Sequence, residues 1–318
     1  MRFKGSAILS ALCALVFLFP GTSRAYVCAQ VPNSDGTFGP SLFWAARDLE
    51  FTFYPGGTGQ FEGEEEFELL RNSFAQWGRL VVDGVPQGNA PIERGENPRT
   101  TDLTFTERPT KSLVDRVGYN FFEPEKNENL IFFRETSWFD PATLSSVIGL
   151  TTSTYSAQSG EILDSDIEFN AVANTFVDCF TIDCDAQKSL MDLRNTAVHE
   201  IGHFLGLAHS RVVQSTMYAS AFAGETKKVD LHGDDRDAVV FKYPSGEANG
   251  YCTADDTVGC TCVAPETVAH PLTASVRVAE VHDGTGGCLG LRAYWTNILL
   301  LLGLSFRKRG LLPKEYAS

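Results

Sequence analysis

Histidine is scarce in this 318-residue chain, with six copies, and no two of its eight cysteines form a Cys-x-x-Cys pair. The missing pair argues against a structural zinc site built from four cysteines, which usually needs closely spaced thiolates. Basic residues are also short, with 26 Lys and Arg facing 40 Asp and Glu for a formal charge of −14. Met1–Ala25 holds three of the basic residues, and Leu289–Ser318 holds five with one acidic residue. The body between them therefore carries 18 basic and 39 acidic residues, or −21. Such a body argues against nucleic acid as a partner. Long apolar runs are lacking too: Ala7–Phe19 and Ala293–Phe306 are both short for a bilayer span.

What the chain does have is concentrated in His199-Glu200-Ile201-Gly202-His203-Phe204-Leu205-Gly206-Leu207-Ala208-His209. Helical residues four apart share one face, about 6 Å apart along the axis, so His199 and His203 can present two imidazole nitrogens to a single ion. Glu200 sits beside them, within reach of a water in the open metal position, as a general base must be. Gly206 can take the left-handed conformation that ends a helix and turns the chain, delivering His209 as a third ligand. Three neutral ligands leave a fourth tetrahedral position for water. With so few histidines, chance produces this five-position pattern with odds on the order of 10^-5.

This stretch, followed by Ser210 and then by Ser215-Thr216-Met217-Tyr218, resembles the metzincin zinc proteases and specifically the matrixins. In that branch serine follows the third histidine, and tyrosine follows the methionine of the Met-turn. Leu231 to Tyr243, with paired Asp234 and Asp235 and a terminal tyrosine, is similar to the matrixin C-terminal helix. The resemblance implies one catalytic zinc on His199, His203 and His209, Glu200 as catalytic base, Met217 beneath the site, and protein or peptide substrates. It also implies an α+β fold, a twisted and mostly parallel sheet with an active-site helix and a C-terminal helix. Two departures stand out. No Pro-Arg-Cys-Gly-x-Pro-Asp cysteine switch is present, which puts latency by a propeptide thiol in doubt. Only His232, His270 and His282 lie outside the motif, so the family's second, structural zinc is not expected.

The remaining sequence places this stretch in a larger plan. Met1–Ala25, with a basic start, the short apolar run and small residues before position 26, reads as a secretory signal. Export favours disulfides, and Cys179 and Cys184, flanking a short acidic loop, are expected to bridge. Cys28 is expected to join one of Cys252, Cys260 and Cys262, leaving Cys288 odd. Residues 26–245 suffice for one catalytic domain. Leu49–Tyr54 alternates as a half-buried strand. Glu64–Val82 reads as a helix, with Phe67, Leu70, Phe74 and Trp77 on one stripe. Asp83–Arg99 reads as a loop, and Asp102–Thr106 and Asn129–Arg134 as strands. Val147–Ser156 and Glu161–Asn170 read as a strand pair, and Ser189–Ala208 as the active-site helix.

Asp164, Asp166 and Glu168 alternate on the second strand of that pair. They suit either a calcium ion or a solvent-facing or salt-bridged strand, and both readings stay open. Leu163–Asn170 also resembles the strand bordering the substrate cleft in bacterial matrixin-like proteins, where its edge would pair with an extended peptide. Residues 246–287 read as a cysteine-containing linker or stalk. Residues 288–318 pair Cys288 with an apolar run and Arg307-Lys308-Arg309, resembling the MYXO-CTERM sorting tags of bacterial surface proteins; a plain membrane anchor or an amphipathic tail are the other readings. The expected protein is a monomeric zinc endopeptidase, secreted or attached to a membrane or cell surface. The competing class is a surface adhesion module with a silent zinc site, and a third is a metal-dependent hydrolase of non-peptide bonds. Glu200 favours turnover, because a structural site prefers four protein ligands.

Overall fold

Leu49, Phe51 and Phe53 alternate along β4 (Asp48–Phe53) and are all buried, which makes this strand a wall of the core. The computed structural model describes residues 26–87, 93–94, 99–110, 117–138, 147–184, 189–247, 251–255, 259–263 and 275–283. For 86–87, 93–94, 99 and everything beyond 247, backbone alone is described. The expectations for the Met1–Ala25 signal, the 288–318 segment and the partners of Cys252, Cys260, Cys262 and Cys288 lie outside the described residues.

Before β4 come β1 (Val27–Cys28), β2 (Gln30–Pro32) and β3 (Phe38–Ser41), and after it helix α1 (Glu65–Trp77). Next are β5 (Arg79–Val82), β6 (Val85–Gln87), β7 (Glu93–Arg94), β8 (Arg99–Thr100), β9 (Thr104–Glu107) and β10 (Leu130–Arg134). They are followed by β11 (Val147–Ser156), β12 (Ile162–Asn170), β13 (Thr175–Val177) and β14 (Leu190–Asp192). Helix α2 (Leu193–Phe204), β15 (Leu207–Ala208) and helix α3 (Gly233–Lys242) precede β16 (Tyr251–Asp255), β17 (Gly259–Val263) and β18 (Ser275–Asp283).

Eight strands form the main sheet in the order β18-β11-β12-β10-β4-β9-β5-β6. From β12 to β5 the neighbours are parallel; β11, β18 and β6 join antiparallel. The expected α+β architecture, a mostly parallel sheet with an active-site helix and a C-terminal helix, is what the chain adopts. Leu69, Leu70, Phe74 and Trp77 form the buried face of α1, and each large apolar side chain so buried contributes about 1.5–3 kcal/mol. Phe74 stacks on Phe51 of the sheet at 4.0 Å and meets Phe204 of α2 edge-on at 6.0 Å, so one ring joins sheet and both helices.

Several boundaries differ from the sequence expectation. The helix expected over Glu64–Val82 ends at Trp77, because Arg79, Leu80 and Val81 pair with β9 as a strand. The loop expected from Asp83 begins as a two-residue hairpin turn, with φ of 49° at Asp83 and 75° at Gly84, the left-handed pair that suits strand twist. The active-site helix spans Leu193–Phe204, not Ser189–Ala208: Leu190–Asp192 pairs with β13, and Asp192 caps the helix by accepting from Asn195 N at 2.7 Å. β12 is not an edge strand, since β10 and β11 flank it. Residues 246–287, expected as a stalk, carry β16, β17 and β18, the last within the main sheet.

Three aromatic donors fix the far half of α2. Trp77 Nε1 donates to Val198 O, Trp44 Nε1 to Phe204 O, and Tyr243 Oη to Leu205 O, each at 2.8 Å. Tyr243 Oη also accepts from Trp44 N at 3.1 Å, and burial pushes its pKa up. Tyr243→Phe should therefore cost about 1–3 kcal/mol in denaturant unfolding, the usual cost of stranding a buried donor. A change below a few tenths would show that this bond does not hold the helix.

Candidate metal centre

Helix geometry puts His199 and His203 on one face, and the turn after Phe204 brings in His209. The turn needs glycine: Gly206 has φ of +75°, and a Cβ there would lie 2.6 Å from Leu42 O. Beyond it β15 pairs with β1, returning the chain across the helix end. His203 Nε2 then lies 3.2 Å from both His199 Nε2 and His209 Nε2.

The opposite ring nitrogens settle the tautomers. His199 Nδ1 donates to Thr216 O at 2.6 Å, and His203 Nδ1 donates to Leu207 O at 2.8 Å. A carbonyl can only accept, so each Nδ1 carries the proton and each Nε2 turns a lone pair toward its neighbours. Lone pairs at that separation repel unless a cation lies between them. Nitrogens placed tetrahedrally around a zinc ion at about 2.0–2.1 Å stand about 3.3 Å apart, so the residues fit zinc well. Among the described residues this triad is the one group of His, Cys, Asp or Glu that converges in this way.

Glu200, fully buried, follows His199 on the helix. Thr151 Oγ1 of β11 lies 2.7 Å from Glu200 Oε2 and 3.1 Å from Glu200 O. Gly149 lets the sheet close on the same carboxylate, for a Cβ there would fall 2.6 Å from Glu200 Oε1. Sequence reading missed both residues. A glycine inside a β-branched strand was the available signal.

Met217 lies beneath α2, and Gly202 admits it: a Cβ at Gly202 would sit 2.1 Å from Met217 Sδ. The turn around Met217 is held by Asp235, whose carboxylate accepts from Ser215 Oγ, from Thr216 N at 2.8 Å and from Met217 N at 3.1 Å. Asp234 accepts from Ser210 Oγ at 2.6 Å, fastening the residue after His209. The paired aspartates thus hold one side of the site each. Lys228, also missed in the sequence, is fully buried and donates to Tyr218 O; burial pushes its pKa down to about 7.

The acidic strand has protein partners. Asp166 accepts from Gly118 N at 2.6 Å and Leu130 N at 2.9 Å, and Glu168 pairs with Arg134 at 2.6 Å. Burial, followed by the neighbouring Asp164, raises the Asp166 pKa well above the carboxylate range. These groups are buried structural anchors, which matches the salt-bridged reading at Glu168 and gives calcium no support. Near the helix start, Cys179 and Cys184 form the expected disulfide, and Cys179 N donates to the capping Asp192 at 2.9 Å.

Replacing Asp235 by alanine removes an acceptor shared by Ser215, Thr216 and Met217. The expected cost is about 3 kcal/mol or more, since buried amides lose a charged partner. Zinc affinity should fall with it, because Thr216 orients His199; retained affinity in a competitive chelator titration would contradict that link.

Comparison with known proteins agrees with this geometry. A family model described as Matrixin matches residues 44–243. Metalloendoproteinase 2-MMP of Arabidopsis thaliana is 39% identical over 98 residues, covering 30% of this chain and 24% of the plant protein. Metalloendoproteinase 1 of Glycine max is 49% identical over 55 residues, covering 17% of this chain and 18% of its own length. The alignments span about a quarter or less of these relatives. With the family model covering more than half of the chain, the protein belongs to the matrixin family of metalloproteases.

Proposed function

We propose that the chain is a zinc endopeptidase, exported and either secreted or surface-attached, in which His199, His203 and His209 hold the metal and Glu200 is the general base. The observation carrying this reading is the convergence of three imidazoles, two of them with the tautomer fixed by a backbone carbonyl, beside a buried carboxylate. When bound, zinc supplies Lewis acidity toward the scissile carbonyl and lowers the pKa of water to about 7. Glu200 takes the proton from the attacking water and hands it to the leaving amine. Thr151 holds Oε2 of that carboxylate, so the base approaches in one orientation. Met217 and Gly202 leave no slack beneath the helix, which keeps His199 and His203 in register with His209.

Residues 26–245 are the catalytic domain in this reading, acting as a monomer on protein or peptide substrates. The Met1–Ala25 leader directs export, and 288–318 supplies surface sorting or anchoring. The Cys179–Cys184 disulfide and the disulfide-bonded Cys28 support an oxidising compartment.

Glu200→Gln, compared with wild type on a denatured protein, tests the assignment. Cleavage should fall about 10^2–10^4-fold, the usual worth of a general base, with zinc content unchanged. A wild type that binds zinc yet cuts nothing the variant spares would mean a silent site. Thr151→Val should lower kcat by about tenfold while leaving KM within about twofold, as expected for a residue that orients the base. Equal kcat in both proteins would remove Thr151 from the mechanism.

A further inference from the structure

β11 carries both residues that meet the Glu200 carboxylate, Gly149 and Thr151. One side of this strand pairs with β12. Its other side offers a row of main-chain donors and acceptors, the kind of edge to which an extended peptide adds as a strand. That row is already taken by the chain itself. β18 runs antiparallel along it, with Val281 opposite Leu150, Glu280 opposite Thr151, and pairing continuing to Ser275 opposite Ser156. The register breaks between Val147 and Leu150, at the level of Gly149.

We propose that Ser275–Asp283 is a built-in competitor for the peptide-binding edge of β11, so that the segment must leave before a substrate strand can lie beside Glu200. The length suits the role: nine residues extend about 30 Å, enough to cover β11 from Ser156 to Val147. So does the tether. β16 lies against β3 and β17 against β1, so the segment leading into β18 rests on the body. A strand tethered in this way acts at an effective concentration in the mM range, so an intrinsic Kd of about 0.1 mM keeps the edge covered roughly ten to one. Only the kinetic arm of the test rests on the proteolytic reading above.

The test uses the full chain with Val278→Pro and Ala279→Pro together. Adjacent residues of a strand direct their amides to opposite sides, so one of the two lost N–H groups faces β11 whichever way the alternation falls. Val278→Thr with Ala279→Ser keeps both amides and serves as the control. Amide exchange at Leu150–Ser156 should quicken at alternate positions in the proline variant, and not in the control. The KM for an unrelated peptide should drop about tenfold at constant kcat, and a synthetic Ser275–Asp283 peptide at mM concentration should raise it again. Unchanged exchange would overturn the occupancy, whether or not any peptide is cut. Faster exchange with an unchanged KM in an active enzyme would overturn the competition. If no protein of the set cleaves anything, the proteolytic reading fails, and exchange alone decides where the strand sits.

Discussion

Three imidazole lone pairs directed at one point repel one another, and a buried site gives them little water to screen the repulsion. The fold around them holds that arrangement in place. The i, i+4 spacing on α2 sets two rings, and the left-handed turn at Gly206 sets the third. Two backbone carbonyls, Thr216 O and Leu207 O, lock the tautomers that leave Nε2 bare. A cation at the centre converts the repulsion into binding, so metal affinity and local stability are coupled.

Those carbonyls are themselves positioned from a distance. Thr216 belongs to the turn clasped by Asp235 from α3, and Leu207 lies in β15, which β1 holds. Trp44, Trp77 and Tyr243, from three separate segments, anchor the carbonyls of Phe204, Val198 and Leu205. The described segment before β4 and the helix after the Met-turn therefore both converge on α2 and the turn that follows it. The apolar contacts supply most of the stability, and the few directional bonds decide where the helix comes to rest.

Much of the site was legible in the sequence because its rules are local. Helical spacing, one obligatory glycine and a rare residue type fix the triad without knowledge of the fold. Met217, Asp234 and Asp235 were readable as a likeness to a family, though their hydrogen bonds were not. Thr151 escaped notice because its role depends on β11 packing against α2, a contact between segments about fifty residues apart in sequence. Lys228 escaped for the same reason: a lysine reads as surface until the chain around it closes.

The fold was legible in outline and less so at its joints. Short apolar runs such as Leu80-Val81-Val82 suit a helix end or a strand equally, and pairing with β9 and β6 decides. The likeness of Leu163–Asn170 to a cleft-bordering strand suggested an edge, whereas neighbours on both sides of β12 and buried partners for Asp166 and Glu168 make it interior. Residues 275–283 read as part of a stalk because a strand's partner, here β11, is set by topology and not by its own composition.

The central claim is that His199, His203 and His209 share one zinc ion. X-ray absorption of the purified, zinc-loaded chain measures this directly, together with its metal content. One zinc per chain with three nitrogen scatterers at about 2.0–2.1 Å is the predicted result. Substoichiometric zinc, or sulfur scatterers near 2.3 Å, would place the metal elsewhere and contradict it.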